Sequence, residues 1–202
     1  MSKRRLFMSR LVGKAAPDFS CDALVGSEFK NVSLSHFQGK WKVLFFYPLD
    51  FTFVCPTEIT AFSDAAQKFK ELNCELIACS VDSKFSHLAW SKMSRKEGGI
   101  GAVNFPILAD LGKKVARDYE VLIEEAGVAL RGLFLIDDKN VIQHATINNL
   151  SVGRNANEIL RLVEAYQFTA KNGEVCPAGW QKGDEGMKAD PQNSKNWFQK
   201  HN

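Results

Sequence analysis

Trp41-Lys-Val-Leu-Phe-Phe-Tyr-Pro-Leu-Asp-Phe-Thr-Phe-Val-Cys55, followed by Pro56-Thr-Glu58, runs a strand signal directly into a helix signal. Residues 41–47 form an apolar run ended by Pro48, the pattern of a buried strand. From Pro56 onward, Ile59, Phe62, Ala66 and Phe69 recur at spacings of three and four, which predicts a helix reaching about Asn73. Pro56 suits the first helical position, because the N–H it lacks would be unpaired there. Cys55 is then expected at the N-cap, beside the free N–H groups and the positive end of the helix dipole. Such surroundings favour the thiolate, the form of cysteine that attacks electrophiles. Position alone leaves a second reading open, in which Cys55 is a small buried apolar side chain. Thr52, three residues earlier, is close enough for its hydroxyl to face the same pocket, and Pro48 stiffens the turn.

Outward from this stretch, residues 19–33 read as a short hairpin, residues 74–81 as a second buried strand and residues 84–93 as a helix. An apolar stretch at 104–108 and a helix near 112–119 follow. Residues 133–136 and 141–147 read as strands joined by Asp137-Asp-Lys-Asn140, a segment with turn chemistry. Asn155 and Glu158 make a capping signal ahead of Ile159, Leu160, Val163 and Tyr166 on one helical face. Strands alternating with helices and closing on a hairpin indicate an α/β domain with a mixed sheet. After Lys171, Gly173, Pro177, Gly179, Gly183, Gly186 and Pro191 punctuate a polar tail. It is too long for an inert loop, which leaves a disordered segment or an arm that packs on a partner. The expected organisation is a basic tail over 1–10, one domain over 11–170 and an arm over 171–202.

A chain of 202 residues that is 45% hydrophobic and 24% charged has the apolar content for one real core. A formal charge of +3 gives no reason to invoke nucleic acid or a membrane surface, and no apolar run approaches spanning length. Five cysteines, widely spaced at 21, 55, 74, 79 and 176, argue against a disulfide scaffold and for a reducing compartment. Cytoplasm is the expected location, with a mitochondrion as the alternative if the basic stretch 1–10 is an import remnant. Cys74 and Cys79 lie five apart in one apolar strand, so their side chains should point to opposite faces. The four histidines show no metal-ligand spacing.

Residues 46–58 (FYPLDFTFVCPTE) closely resemble the active-site loop of the typical two-cysteine peroxiredoxins. The resemblance extends from about Leu11 over nearly the whole chain. It takes in Ser80-Val-Asp-Ser83, His87-Leu-Ala-Trp90, Gly98-Gly-Ile-Gly101, Leu130-Arg-Gly-Leu-Phe134, Val152-Gly-Arg154 and Gly173-Glu-Val-Cys-Pro177. It implies a thioredoxin-like fold with an extended C-terminal arm. It also implies an antioxidant peroxidase that reduces hydrogen peroxide and small alkyl hydroperoxides with no metal or organic cofactor. The implied assembly is a homodimer whose tails cross between subunits, with five dimers commonly forming a decameric ring.

The resemblance also assigns residues. Pro48, Thr52 and Cys55 match the family's proline, threonine and attacking cysteine, and Arg131 matches its catalytic arginine. A guanidinium is always charged and presents fork-shaped donors to a leaving oxygen. Glu58 and Arg154 match a pair that supports this arginine. Cys176 matches the resolving cysteine, which condenses with a sulfenic acid to form a disulfide. With no Cys-x-x-Cys pair in the chain, an external dithiol such as thioredoxin is implied. The same assembly would also suit a holdase chaperone or a redox relay.

Overall fold

The computed structural model describes residues 11–201; the basic stretch 1–10, read above as a tail, lies outside them. The chain divides into two compact units, one ending at Arg154 and one beginning at Asn155.

In the first unit, β1 (Ser20–Val25) and β2 (Glu28–Ser33) form the expected hairpin. The first residue of its two-residue turn is Gly26, at φ +63°, a conformation that suits glycine there. The chain continues through β3 (Trp41–Phe46), α1 (Cys55–Glu71), β4 (Cys74–Ser80), α2 (Lys84–Ser91), β5 (Ile107–Ala109) and α3 (Lys114–Asp118). It then forms a small separate hairpin of β6 (Leu122–Ile123) and β7 (Val128–Ala129), followed by β8 (Arg131–Ile136) and β9 (Ile142–Asn148). Seven strands form one mixed sheet in the order β2-β1-β5-β4-β3-β8-β9. β3, β4 and β5 run parallel, and the other pairings are antiparallel.

β3 lies between β4 and β8, and all six of its residues are buried, which accounts for its continuous apolar reading. Its alternate side chains serve two layers. Phe45 stacks on Phe62 of α1 with centroids 4.6 Å apart and meets Phe105 edge-on at 5.5 Å. Leu44 and Phe46 enter a second cluster with Val115, Tyr119, Phe134, Ile136 and Ile142. Removing a buried phenylalanine from such a site costs about 3–5 kcal/mol. Lys42 is also fully buried, its ammonium held 2.5 Å from Asn140 Oδ1. The 137–140 turn is tied by Asp137 Oδ1, which accepts from the Lys139 and Val141 N–H groups at 2.9 and 2.8 Å.

The sequence gives no sign of β6 and β7, whose two-residue strands are too short to show a period. β8 starts at Arg131, two residues earlier than the apolar run suggests, because an arginine at a strand end reads as a boundary. Gly132 lets this strand approach the segment just before β6: a Cβ there would lie 2.4 Å from Val121 Cγ1.

The second unit contains α4 (Ala156–Asn172) and α5 (Ser194–His201). Asn155 caps α4 as expected, its Oδ1 accepting from the N–H groups of Asn157 and Glu158 at 2.9 and 3.4 Å. Gly173 ends the helix at φ +67°. The segment beyond folds back on α4. Val175 and Met187 exchange two backbone hydrogen bonds of 2.9 Å, Trp180 packs on Phe168 at 4.9 Å, and Arg161 donates to the Trp180 carbonyl at 2.7 Å. α5 went unread in the sequence, because Trp197 and Phe198 are the only strongly apolar residues in its eight.

Candidate active site

β3 delivers the chain to a loop over residues 47–54, and α1 begins immediately beyond it. The helix starts one residue earlier than expected. Val54 is the N-cap, Cys55 the first helical residue and Pro56 the second. The shift arises because Val54 already has helical dihedrals and its carbonyl accepts from the Thr57 and Glu58 N–H groups. Cys55 therefore sits inside the first turn, still at the positive end of the helix dipole. Its side chain is fully buried, and Pro48, seven residues earlier at the start of the loop, is buried as well. Thr52 is half-buried and its hydroxyl donates to the Leu49 carbonyl at 2.9 Å. That bond leaves the hydroxyl oxygen's lone pairs free to accept.

Four of the sequence-selected residues come together. Arg131, at the start of β8, lies with Nη1 3.4 Å from Cys55 Sγ and donates from the same nitrogen to Glu58 Oε2 at 2.7 Å. Its Nε donates to the Leu150 carbonyl at 2.8 Å, which fixes the plane of the fork. Glu58, one helical turn after Cys55, accepts at Oε1 from both Nε and the backbone N–H of Arg154, at 2.7 and 2.8 Å. Arg154 also donates to the Gly132 carbonyl at 2.6 Å and lies over the Phe45 ring at 5.5 Å. Side-chain exposures of 3%, 1% and 2% for Arg131, Glu58 and Arg154 exclude the reading of plain surface ion pairs.

Two guanidinium groups against one carboxylate leave a buried surplus of positive charge, and an anionic sulfur at Cys55 would neutralise it. Burial pulls Arg154 below the ordinary arginine value, and Glu58 opposes that fall. Nη2 of Arg154 is buried without a hydrogen-bond partner.

The loop's other fixings escaped the sequence reading. Asp50 is buried and bonds Tyr47 and His87, and its N–H donates to Asp82. Tyr47 reads as a strand residue and His87 as a lone histidine on a helix. No spacing rule unites residues from the loop, the segment after β4 and α2.

Cys176, in the second unit, is half-buried. Its thiol donates to the Ala165 carbonyl of α4 at 3.5 Å and lies 3.6 Å from the Thr169 hydroxyl. It borders a cavity of about 340 Å³ between α4 and the Val175–Gly179 segment of the same unit. The remaining cysteines have different surroundings. Burial pushes the Cys74 and Cys79 thiols well up. Cys21 is pushed up to about 11 by burial and then by Asp110 and Asp22. Cys79 joins the apolar cluster beneath the sheet and Cys74 does not, as their opposite faces require.

Residues 12–145 match the AhpC/TSA family, and residues 165–200 match the C-terminal domain of 1-Cys peroxiredoxin. The second match includes Cys176. A thioredoxin peroxidase of Echinococcus granulosus is 59% identical over 181 residues, covering 90% of this chain and 94% of that protein. Peroxiredoxin-2 of Bos taurus is 57% identical over 191 residues, covering 95% and 96%. The reduced 2-Cys peroxiredoxin of Plasmodium vivax superposes with a TM-score of 0.92 at 46% identity, covering 95% of this chain and 100% of that one. A family match from ahead of β1 into β9, continued by relatives that run the length of both units, leaves one assignment: the chain belongs to the AhpC/TSA family and is a peroxiredoxin, an enzyme that reduces peroxide with a cysteine thiol.

Proposed function

We propose that Cys55 is the attacking thiolate and Cys176 the resolving thiol. The Cys55 sulfur attacks one peroxide oxygen, the O–O bond breaks, and the other oxygen leaves as alcohol or water after taking a proton. Cys55 is left as a sulfenic acid. Cys176 of a partner subunit then forms an S–S bond with it and releases water. A dithiol of the thioredoxin kind returns both cysteines to thiols and is itself oxidised to a disulfide. Arg131 holds Cys55 anionic and donates to the leaving oxygen, with Glu58 and Arg154 fixing its fork. Thr52, its hydroxyl already donating to Leu49, accepts from the peroxide and so orients the O–O bond. Pro48 keeps water from the sulfur.

The observation that carries this reading is the Arg131 guanidinium 3.4 Å from Cys55 Sγ, inside a buried group of two arginines and one glutamate. No other described cysteine has a guanidinium hydrogen-bonded to its sulfur. Phe53, 94% exposed beside the site, and the half-exposed Phe51 favour cover by further copies of the chain, as in a homodimer that assembles to a decamer. Five widely spaced cysteines suit a reducing compartment, and we place the enzyme in the cytoplasm; no helix among the described residues is long and apolar enough to cross a membrane. The test is a stopped-flow trace of the reduced protein with hydrogen peroxide, with Cys55→Ser as control. Rapid consumption by the wild type and none by the variant is expected; equal traces would remove Cys55 from the mechanism.

A further inference from the structure

The turn between β3 and α1 is held by a buried hydrogen-bonded array that the peroxide chemistry itself does not touch. Tyr47 Oη donates to Asp50 Oδ1 at 2.8 Å, and His87 Nδ1 lies 2.8 Å from Asp50 Oδ2. His87 Nε2 faces the Leu108 carbonyl at 3.3 Å. The Asp50 N–H donates to Asp82 Oδ2 at 2.9 Å, and that oxygen also accepts from Ser80 Oγ at 2.8 Å. Tyr47 and His87 are fully buried and Asp50 is 6% exposed. The array thus gathers the loop that leaves β3, the end of β4, α2 and β5 around one aspartate.

A carbonyl can only accept, so the contact with Leu108 is made when His87 Nε2 is the donor. Burial first, and the Asp50 charge second, push Tyr47 and Asp82 up, which keeps Tyr47 a donor.

Directly after Asp50, Phe51 has φ +54°. A bulky side chain holds that left-handed conformation only where its surroundings over-determine it. The Phe51 ring packs on Trp90 at 5.8 Å, and Trp90 packs on Tyr47 at 6.1 Å. The next residue is Thr52.

We propose that Tyr47, Asp50 and His87 are positioning residues that hold the strained turn at Phe51 in the conformation that aims Thr52 at peroxide bound beside Cys55. This deepens the peroxidase reading and rests on it. The array makes no contact with the sulfur, so its loss impairs alignment of the O–O bond and leaves the thiolate available.

The experiment compares two rates at Cys55 for each variant: stopped-flow reduction of hydrogen peroxide, and alkylation by iodoacetamide, which needs the thiolate but no aligned O–O bond. Asp50→Leu keeps the branched outline and removes the hydrogen bonds. Asp50→Asn keeps the outline, an oxygen for Tyr47 and an amide donor for His87 Nδ1. Asp50→Leu is expected to lose about 10²-fold in peroxide rate with alkylation not slowed, the scale of a roughly 1 Å misplacement. Asp50→Asn should recover most of that loss, and Tyr47→Phe should lose about three- to tenfold, one net hydrogen bond. Tyr47→Phe deletes a single hydroxyl and serves as the deciding variant if Asp50→Leu does not fold.

Peroxide rates within about twofold of wild type for Tyr47→Phe and Asp50→Leu would overturn the proposal, since that change is worth under half a kcal/mol. So would peroxide and alkylation rates that fall in parallel, or an Asp50→Asn as slow as Asp50→Leu. Wild-type protein that fails to consume peroxide would instead defeat the peroxidase reading.

Discussion

Cys55 and Cys79 are both completely buried, yet their surroundings oppose each other. Cys55 sits in the first turn of α1 with a guanidinium on its sulfur and a surplus of buried positive charge. Cys79 sits mid-sheet in an apolar cluster, and burial together with Asp110 pushes its thiol well up. Burial by itself therefore does not decide whether a thiol is reactive. The sign of the charge buried with it does, because low-dielectric surroundings amplify both the penalty for an unpaired ion and the gain from a paired one.

The comparison is broken most directly by making the same change at both sites. Cys55→Ser is expected to abolish peroxide reduction with folding intact, since a hydroxyl does not ionise near neutral pH. Cys79→Ser should leave the peroxide rate unchanged and lower stability by about 1–3 kcal/mol, the cost of an unsatisfied buried hydroxyl. Stopped-flow assays and urea unfolding of the two variants read both effects, and a peroxide-inactive Cys79→Ser would undo the contrast.

Cys176→Ser should allow the first oxidation at its normal rate and then stop. Disulfide-linked dimers on non-reducing gels and thioredoxin-dependent turnover are both expected to vanish. An intersubunit disulfide that persists in this variant would assign resolution to Cys21, Cys74 or Cys79.

Arg131→Ala makes the electrostatics around Cys55 more like those around Cys79. Loss of one charged donor from a preorganised site is expected to slow attack on peroxide by about 10²–10³-fold. It should also cost stability, because Glu58 keeps only Arg154 as a buried partner. A second-order rate constant reduced by less than about threefold would leave Arg131 with a structural role alone.

The smallest expected effect concerns Cys21, whose thiol is pushed up to about 11. A raised value means that the folded chain keeps this proton through neutral pH and releases it only in strong alkali. Alkylation mapped by mass spectrometry in a Cys55→Ser/Cys176→Ser background should therefore leave Cys21 unlabelled near neutral pH and label it as pH approaches that value. Labelling at neutral pH would mean that Cys21 shares the charge environment of Cys55.

The sequence by itself determined the strands and helices whose signal is local. The all-buried β3 shows as an apolar run, α1 as a three-and-four spacing, the cap of α4 as Asn155, and the turn after β8 as Asp137 through Asn140. It also carried, through motif resemblance, the candidate residues Pro48, Thr52, Cys55, Glu58, Arg131, Arg154 and Cys176. Tertiary structure alone decided which of these act on one another. Arg131 is 76 residues from Cys55 in sequence, and Arg154 is 96 from Glu58. Only the pairing of β8 with β3 and the path of the chain after β9 bring the two arginines to the start of α1 and bury them there. The Asp50 array shows the same limit, since nothing in the sequence signals that Tyr47, Asp50, His87 and Leu108 meet. Periodicity reports which face of an element is apolar. Whether a buried charge or hydrogen bond finds its partner depends on segments that meet only when the sheet is assembled.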